Sequence, residues 1–554
     1  MHKKILICCN AYPPNFIGGA ELIAHEQAKI LKKLGHEVAI FAGDGHIGGE
    51  RYSLCNEVYD GLAVYRVSLA AEDYQPNLIN FTHKNVENIY THILDDFSPT
   101  IVHFHNIIGL SVGLIHIAKS KGIRTVLTVH DHWGFCYKNT MLKRGVEVCR
   151  DWSRCVECMP FVSDDGCRSI PIRMRKDFLE IQFRDVDAFI SPSAYLADAY
   201  ISAGIPSEKF NVIWNGINVK RFADIIKKPM GDRVRFTYIG YFGKHKGIHV
   251  LMNALPHIAE KDRIQVNLVG AGELFDSIVE QAKALKLDKI IKFWGRIDSI
   301  EDAYRETDVF ILPSIWPENQ PVTITEAMAS RTPVIASCIG GNPELVEDRK
   351  TGYLFKVGDE RDLAEKMGKF ISHPDRINIF GENAYNKIKA NELEDRVNEI
   401  IQVYDGNDSG QGGSPRKDFL IACLGGRVDP RCLLAISSIS NGLRPGTCSF
   451  VMSKWLQQDQ FSQVKLLWIV DAETDQNEVL EGLINKVPLL VPEENRWLKS
   501  LCIDGKCGLY YKDALEAEAC IEYLIDHEKE RAALAQIGFE LSSSELITRP
   551  PMLH

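Results

Sequence analysis

Short, unbroken apolar runs, each followed by a loop and an amphipathic stretch, recur along most of the chain. The first, KILICC (Lys4–Cys9), is apolar throughout, as a strand covered on both faces must be. A loop rich in Pro and Gly follows, and the spacing predicts a helix from about Ala20 to Leu34. Gly35 ends that helix, and His36–Ala42 is the next strand. Further runs at Ala63–Ser68, Ile101–His105, Arg124–Val129 and Ala188–Ile190 continue the alternation. Strand–helix alternation of this kind predicts a doubly wound parallel sheet.

A turn dipeptide, Asn215-Gly216, marks a hinge, and a second series of the same kind starts at Arg235. Its strands are Arg235–Gly240, Gln265–Gly270, Ile291–Gly295, Val309–Leu312, Pro333–Ala336 and Gly352–Phe355, with helices to about Tyr404. Residues 405–417, DGNDSGQGGSPRK, have the composition of a flexible linker. Beyond it Phe419–Leu424 opens a third series that echoes the second. Val479–Leu489 repeats the pattern of Ile324–Val334 at an offset of 155 residues, with Glu481 on Glu326, Pro488 on Pro333 and Glu473 on Glu318. Lys506–Tyr511 repeats Lys350–Phe355 at an offset of 156. The expected class is therefore α/β. Two Rossmann-like doubly wound domains, 1–214 (with an insertion at 132–170) and 215–405, face a cleft. A linker at 406–417 leads to a truncated, degenerate Rossmann-like copy of the second domain at 418–554.

Composition changes this picture little. A chain of 554 residues with 45% hydrophobic and 25% charged positions is ordinary globular material, and its net charge of −10 argues against a nucleic-acid partner. No apolar run reaches the ~18–20 residues needed to span a bilayer. A cytoplasmic protein is expected, with its 15 cysteines mostly reduced. The basic helix ending Lys29–Leu34 leaves open peripheral contact with the inner face of a membrane.

The chemistry gathers at strand ends. Glu318 and Glu326 stand with seven residues between them, across a strand–loop–helix junction, followed by Gly340-Gly341 and Glu344. A helix N-terminus offers N–H groups to phosphate, and carboxylates accept from vicinal hydroxyls, so this spacing suits a sugar nucleotide. Gly18-Gly19 opens the first helix, and Gly240, Gly243, Lys244, Lys246 and Gly247 form a second glycine–lysine loop suited to phosphate, though not a P-loop. Strand ends also carry Gly270 and Gly272, Gly295-Arg296, His103, His105, and His130-Asp131-His132. The first and second histidine clusters have a structural reading beside the functional one. Directly downstream, Cys136, Cys149, Cys155, Cys158 and Cys167 crowd one segment. The first four could hold a structural zinc ion, supplying a fold that little periodicity supplies; disulfides or reduced cysteines in a lid are the alternatives.

These residues make a pattern that resembles the retaining GT-B glycosyltransferases of family four (glycosyl transferases group 1) over roughly residues 3–405. The motifs are YPP…GGAE (Tyr12–Glu21), TVHD (Thr128–Asp131), NGI (Asn215–Ile217), G…KHKG (Gly240–Gly247), GAGE (Gly270–Glu273), and Glu318-x7-Glu326 with GGNPE. The resemblance implies a sugar moved from a nucleotide-diphosphate donor to a saccharide or lipid-linked acceptor, without a catalytic metal or other cofactor, in polysaccharide or glycoconjugate synthesis. It implies that Glu318 contacts donor-sugar hydroxyls, Glu326 the ribose and Lys246 the diphosphate. Amides near Gly19, Val322 and Thr323 would help, Asn319 would lie within the donor site, and His130 would sit beside the sugar. Gly270–Gly272 and Gly295-Arg296 would flank the base. One departure is Tyr241, where the family often has arginine; Lys244 could replace it. The third series lacks a Lys246 equivalent and has Glu493-Glu494-Asn495 where the glycines should be, so a structural or protein-partner role is expected for 418–554. The other readings are a non-catalytic scaffold or regulatory subunit, and a sugar-nucleotide hydrolase or epimerase.

Overall fold

In a computed structural model of the chain, the residues described are 2–15, 18–45, 50–75, 77–143, 147–149, 155, 158–163, 169–406, 419–425, 428, 432–436, 448–471, 476–505 and 507–542. The linker, Glu473, Lys506 and Cys167 lie outside them. Three mainly parallel sheets organise the described chain.

The first sheet is built from β1 (Lys4–Cys9), β2 (Glu37–Asp44), β3 (Leu54–Tyr59), β4 (Leu62–Ser68), β5 (Ile101–Phe104) and β6 (Arg124–Thr128). Two small hairpins follow, β7 (Leu142–Lys143) with β8 (Glu147–Val148) and β9 (Phe161–Ser163) with β10 (Ser169–Pro171). Then β11 (Ala188–Ser191) and β12 (Phe210–Val212) return to the sheet. Its order is β12-β11-β6-β5-β1-β2-β4-β3. Only β3 runs antiparallel, against β4. Ile5, Leu6, Ile7 and Cys8 are wholly buried, which is why this run carries no polar residue.

The second sheet is built from β13 (Val234–Ile239), β14 (Ile264–Val269), β15 (Ile291–Gly295), β16 (Val309–Leu312), β17 (Val334–Ser337) and β18 (Gly352–Phe355), in the order β15-β14-β13-β16-β17-β18. The order reverses between β13 and β16, and likewise between β1 and β5 in the first sheet. Such switch points leave a crevice beyond the strand carboxyl ends. The last helix of this series, Leu393–Tyr404, crosses back: Leu393, Val397 and Ile400 pack with Ile5, Ile7 and Val38 of the first body. Arg124 donates to the Val403 carbonyl at 2.8 Å, tying the crossing helix to β6.

The third sheet, β19 (Phe419–Leu424), β20 (Cys448–Met452), β21 (Val464–Ile469), β22 (Leu489–Pro492) and β23 (Gly508–Tyr511), has the order β20-β19-β21-β22-β23. Among the described residues this is the order of the second sheet without β15. The local geometry matches too. Gly508 lies opposite Leu489 as Gly352 lies opposite Val334. Lys486 takes the left-handed conformation that Arg331 takes 155 residues earlier. This sheet shares one hydrophobic core with the first. Trp455 stands 5.1 Å from Phe81 and 5.6 Å from Phe178, centroid to centroid. Asp177, on the helix Ile172–Arg184, accepts from the Phe450 amide at 2.8 Å, and Arg173 donates to the Cys448 carbonyl at 3.0 Å.

The zinc expectation is corrected here. Cys136, Cys149, Cys155 and Cys158 are half-buried, but no group of three or more His, Cys, Asp or Glu side chains is arranged to hold a metal among the described residues. The segment does not lack a core: Trp133, Phe135, Tyr137, Met141, Val162 and Ile170 are buried and continue that of the first sheet. Burial raises the Cys136 and Cys155 thiols; the buried Arg175 guanidinium opposes this at Cys136, and Lys176 with Arg175 opposes it at Cys155. Among the described residues no helix is long and apolar enough to cross a membrane.

Candidate active site

The loops after β13 and β16 meet at the switch point of the second sheet. Ile315 donates to the His245 carbonyl at 3.0 Å, and a Cβ at Gly247 would collide with the Pro313 carbonyl. Gly247 also has φ +69°, so both its space and its conformation require glycine. This contact brings Lys246 over the β16 loop. Its Nζ donates to Glu318 Oε1 at 2.8 Å and stands 4.7 Å above the Trp316 ring. Ser314 Oγ donates to the same carboxylate oxygen at 2.6 Å. Burial would push the Glu318 carboxyl up, but the Lys246 ammonium and these hydrogen bonds outweigh it and hold the group below its usual range. Glu318 is therefore a buried, ionised carboxylate with one neutralising cation.

Gly340 and Gly341 press against the loop that carries Glu318. A Cβ at Gly340 would run into the Glu318 backbone, one at Gly341 into the Asn319 carbonyl, and Gly341 N–H donates to the Glu318 carbonyl at 2.6 Å. The pair exists to let this turn press against Glu318-Asn319.

Glu326 lies on the helix Val322–Ala329, whose first residues are Val322 and Thr323. Its carboxylate accepts from Tyr304 Oη at 2.9 Å, and that hydroxyl lies 3.0 Å from the Thr323 carbonyl. Burial pushes the Glu326 carboxyl up to about 7. The glycine loops form one lacework. Gly240 N–H reaches Val269 O at 3.0 Å, Gly270 N–H reaches Gly295 O at 2.8 Å, and Phe242 N–H reaches Ala271 O at 2.9 Å. A Cβ at Gly272 would crowd the Phe242 backbone. Arg296 and Lys244 are exposed at the rim. Tyr241 is 48% exposed and its ring stacks on His245 at 6.1 Å.

The first body supplies the facing wall. His130 follows β6, and its carbonyl accepts from Asn319 Nδ2 at 2.6 Å. Its Nε2 is 2.7 Å from His105 Nδ1, with the rings stacked at 5.0 Å. His103 is bound on both ring nitrogens, to Tyr404 Oη and Thr128 Oγ1, each at 2.7 Å. Burial lowers His130 to about 4 and His103 to about 3, so all three rings are neutral near pH 7. His103 and His105 are thus wholly buried supports, while His130 is half-buried. Gly18 precedes the helix Gly19–Lys33, where Gly18 N–H donates to Glu21 at 2.9 Å; a Cβ at Gly19 would meet nothing within 4 Å among the described residues.

Sequence reasoning passed over Tyr304, Ser314 and Trp316, and named Asp131 without giving it a role. Asp131 is half-buried beside His130, accepts from the Trp133 amide at 2.7 Å, and is raised to about 7 by burial, with Glu21 adding to the shift. Its place in TVHD was the available signal; the Tyr304 pairing had none, because it depends on how the helix Ile300–Arg305 packs.

Comparison with known proteins decides the family. The profile described as Glycosyl transferases group 1 matches residues 220–387, and that described as Glycosyltransferase Family 4 matches residues 17–221. The chain belongs to the family 4 glycosyltransferases. The curated relatives of this glycosyltransferase include an uncharacterized glycosyltransferase of Methanocaldococcus jannaschii, 25% identical over 63% of this chain and 84% of the relative. Another is the Escherichia coli UDP-Gal:alpha-D-GlcNAc-diphosphoundecaprenol alpha-1,3-galactosyltransferase, 26% identical over 55% of this chain and 74% of that protein. Among solved structures, Anabaena HepE in complex with UDP aligns at a TM-score of 0.53 and 17% identity, over 73% of this chain and all of HepE. Sucrose-phosphate synthase of Thermosynechococcus elongatus aligns at 0.56 and 17% identity, over 73% of this chain and 99% of that one. These neighbours share the GT-B arrangement of two facing Rossmann-like bodies, and the third sheet is additional.

Proposed function

We propose that the glycosyltransferase moves a hexosyl group, with retention of configuration, from a nucleotide-diphosphate sugar to a saccharide or lipid-linked acceptor in polysaccharide or glycoconjugate synthesis. The observation that carries this is the Lys246–Glu318 pair, buried at the switch point and facing His130. A diphosphate arriving there competes for the Lys246 ammonium and frees Glu318 to accept from sugar hydroxyls. Glu326 receives the ribose hydroxyls, and His130 stands beside the donor sugar. Gly270–Gly272 and Gly295-Arg296 flank the base, and Gly18-Gly19 closes on the phosphates from the opposite wall. Lys244 takes the place of the family arginine that Tyr241 replaces.

As the glycosidic C–O bond to phosphate breaks, Lys246 and the amides of Val322 and Thr323 stabilise the negative charge left on the leaving diphosphate. Pro321 gives no amide. The acceptor oxygen bonds to the same carbon from the same face, and its proton passes to the departing phosphate oxygen. Since the chain itself supplies the compensating charge, the reaction runs without a divalent ion. The HepE complexes with UDP and UDP-glucose make uridine donors the first to try, and the E. coli relative makes a lipid-linked acceptor, met at the inner face of a membrane, a natural candidate. Residues 418–554 are read as a shortened copy of the second domain, kept for support.

The test is a panel of nucleotide sugars scored for thermal stabilisation and hydrolysis, with and without EDTA, repeated with Glu318→Ala. Stabilisation of the wild type with loss of turnover in the variant is expected. If no nucleotide sugar binds the wild type, the enzyme reading falls; if EDTA abolishes turnover, the metal-free mechanism falls.

A further inference from the structure

The GGNPE segment reaches beyond Glu318. Its glutamate, Glu344, lies on the short helix Asn342–Leu345 of the second body, anchored there by Lys387 Nζ, which donates to the Glu344 carbonyl at 2.8 Å. The carboxylate points out of that body. Oε1 accepts from the Tyr195 amide at 2.7 Å and Oε2 from the Ala194 amide at 3.0 Å. Ala194 and Tyr195 open the helix Ala194–Ser202 of the first body, whose N-cap Ser193 already accepts from Leu196 at 3.2 Å. Glu344 therefore completes, from another body, the cap of a helix that its own loop caps only in part. An anion at that position is favoured by the free N–H groups and by the helix dipole together.

Both ends of this arrangement lead to the reaction centre. On the second body, Gly341, three residues before Glu344, holds the Glu318 carbonyl. On the first, Tyr200 near the other end of the capped helix donates to the Asp131 carbonyl at 3.0 Å and accepts from the Gly134 amide at 3.1 Å, so it fixes the loop that carries His130. The Asn319–His130 bond runs parallel to this route but involves no charge. In the third series the residue 155 positions later is Lys499, paired with Glu493 of its own body. A cation cannot occupy a helix N-terminus this way, so the cross-body cap belongs to the second domain alone.

We infer that Glu344 is a positioning residue for sugar transfer: its bidentate cap on the helix Ala194–Ser202 sets the His130–Asp131 loop at working distance from Glu318. The inference rests on the donor reading above for its kinetic part only. Of the nucleotide sites assigned there, Lys246 and Glu326 are on the second body, and Gly18-Gly19 opens the helix Gly19–Lys33 of the first, which Glu344 does not cap, so binding of the nucleotide alone does not need the cap.

The test uses the full chain with Glu344→Ala and Glu344→Gln, and Glu365→Ala as a control that removes the ion pairs of an exposed carboxylate on the same body. Amide exchange at Ala194 and Tyr195 should quicken about tenfold or more in the alanine variant, the amides having lost their charged acceptors. UDP affinity by calorimetry should stay within about twofold, while kcat for UDP-sugar turnover falls roughly tenfold or more. The glutamine variant, with one acceptor oxygen and no charge, should fall between. The inference is overturned if exchange at Ala194–Tyr195 is unchanged, if UDP affinity falls in step with kcat, or if Glu365→Ala loses as much. Should no nucleotide sugar bind at all, the donor reading fails by itself, and the exchange experiment still decides whether the cap exists.

Discussion

Lowering the pH from about 8 to about 6 should weaken binding of a UDP-sugar by roughly tenfold, through Glu326 alone. Ribose hydroxyls donate to a carboxylate far better than to a carboxylic acid. Burial has brought the Glu326 carboxyl to about 7 in the free protein. At about pH 8 some nine-tenths of it is ionised, and at about pH 6 only about one-tenth, so the competent fraction drops by about ten. Below that the apparent affinity should fall one decade per pH unit, and above pH 8 it should be flat. The same shift acts on the free fold with the opposite sign. A carboxyl whose folded value is raised above its unfolded value stabilises the fold fully below the unfolded value, and that contribution is lost as pH rises through about 7. Stability of the free protein should therefore decline across the window in which stabilisation by the donor grows. Calorimetric titration with an intact UDP-sugar is the assay, because the terminal phosphate of free UDP titrates in the same range. Glu326→Gln should bind more weakly at about pH 8 and show no slope. A flat profile in the wild type, or an equal slope in Glu326→Gln, would refute the placement of the ribose on Glu326.

Lys246→Met should reduce kcat/KM for the donor about 10²–10³-fold, because it removes the cation facing both Glu318 and the departing diphosphate; steady-state turnover of the nucleotide sugar measures this. Gly340→Ala should lower stability by about 1–3 kcal/mol, since the new methyl meets the Glu318 backbone at φ +59°; thermal melting checks it. Trp455→Ala should cost about 3–5 kcal/mol and destabilise the first body along with the third sheet, seen as a lowered melt of both rather than of one. Prolonged chelation should leave the melting temperature and the thiol count of the purified protein unchanged, because Trp133, Phe135 and Met141 rather than a metal hold the segment 132–170; one tightly held equivalent of zinc would contradict this.

Most strands of the first two sheets were legible because strands buried on both faces leave few polar positions to obscure them, whereas β12, β20 and β21 were not named. β3 was not: Leu54–Val58 is exposed along its length, so its side chains carry no burial pattern. The site was legible where a side chain has few other reasons to be present, as with Glu318, Lys246 and Glu326 on loops and a helix beyond strand ends. It was silent where glycines serve the backbone: the need for Gly340-Gly341, close approach to Glu318-Asn319, exists only once β16 and β17 lie side by side. The cysteine segment misled for a related reason. Its buried aromatic residues are irregularly spaced and pack on distant partners, so no periodicity announces a core. Contacts between bodies, such as Glu344 with Ala194 and Tyr195 or Trp455 with Phe81, join residues far apart in sequence and leave no local trace.

Among the described residues the third sheet has no counterpart of β15, which has a consequence for how this chain can be cut. In the second sheet β15 flanks β14; in the third, β20 takes the outer place among the described strands. An outer strand with free amides and carbonyls is a template for pairing with another molecule. Here the helix Ile172–Arg184 takes that flank, with Asp177 receiving the Phe450 amide and Arg173 holding the Cys448 carbonyl. A chain ended after Tyr404 would strip Asp177 of its Phe450 amide, leave it paired with Arg173 alone, and take the Trp455 ring off Phe81. The third sheet expressed alone would present β20 unguarded. Each fragment would be prone to self-association, and the two together should be far more soluble than either.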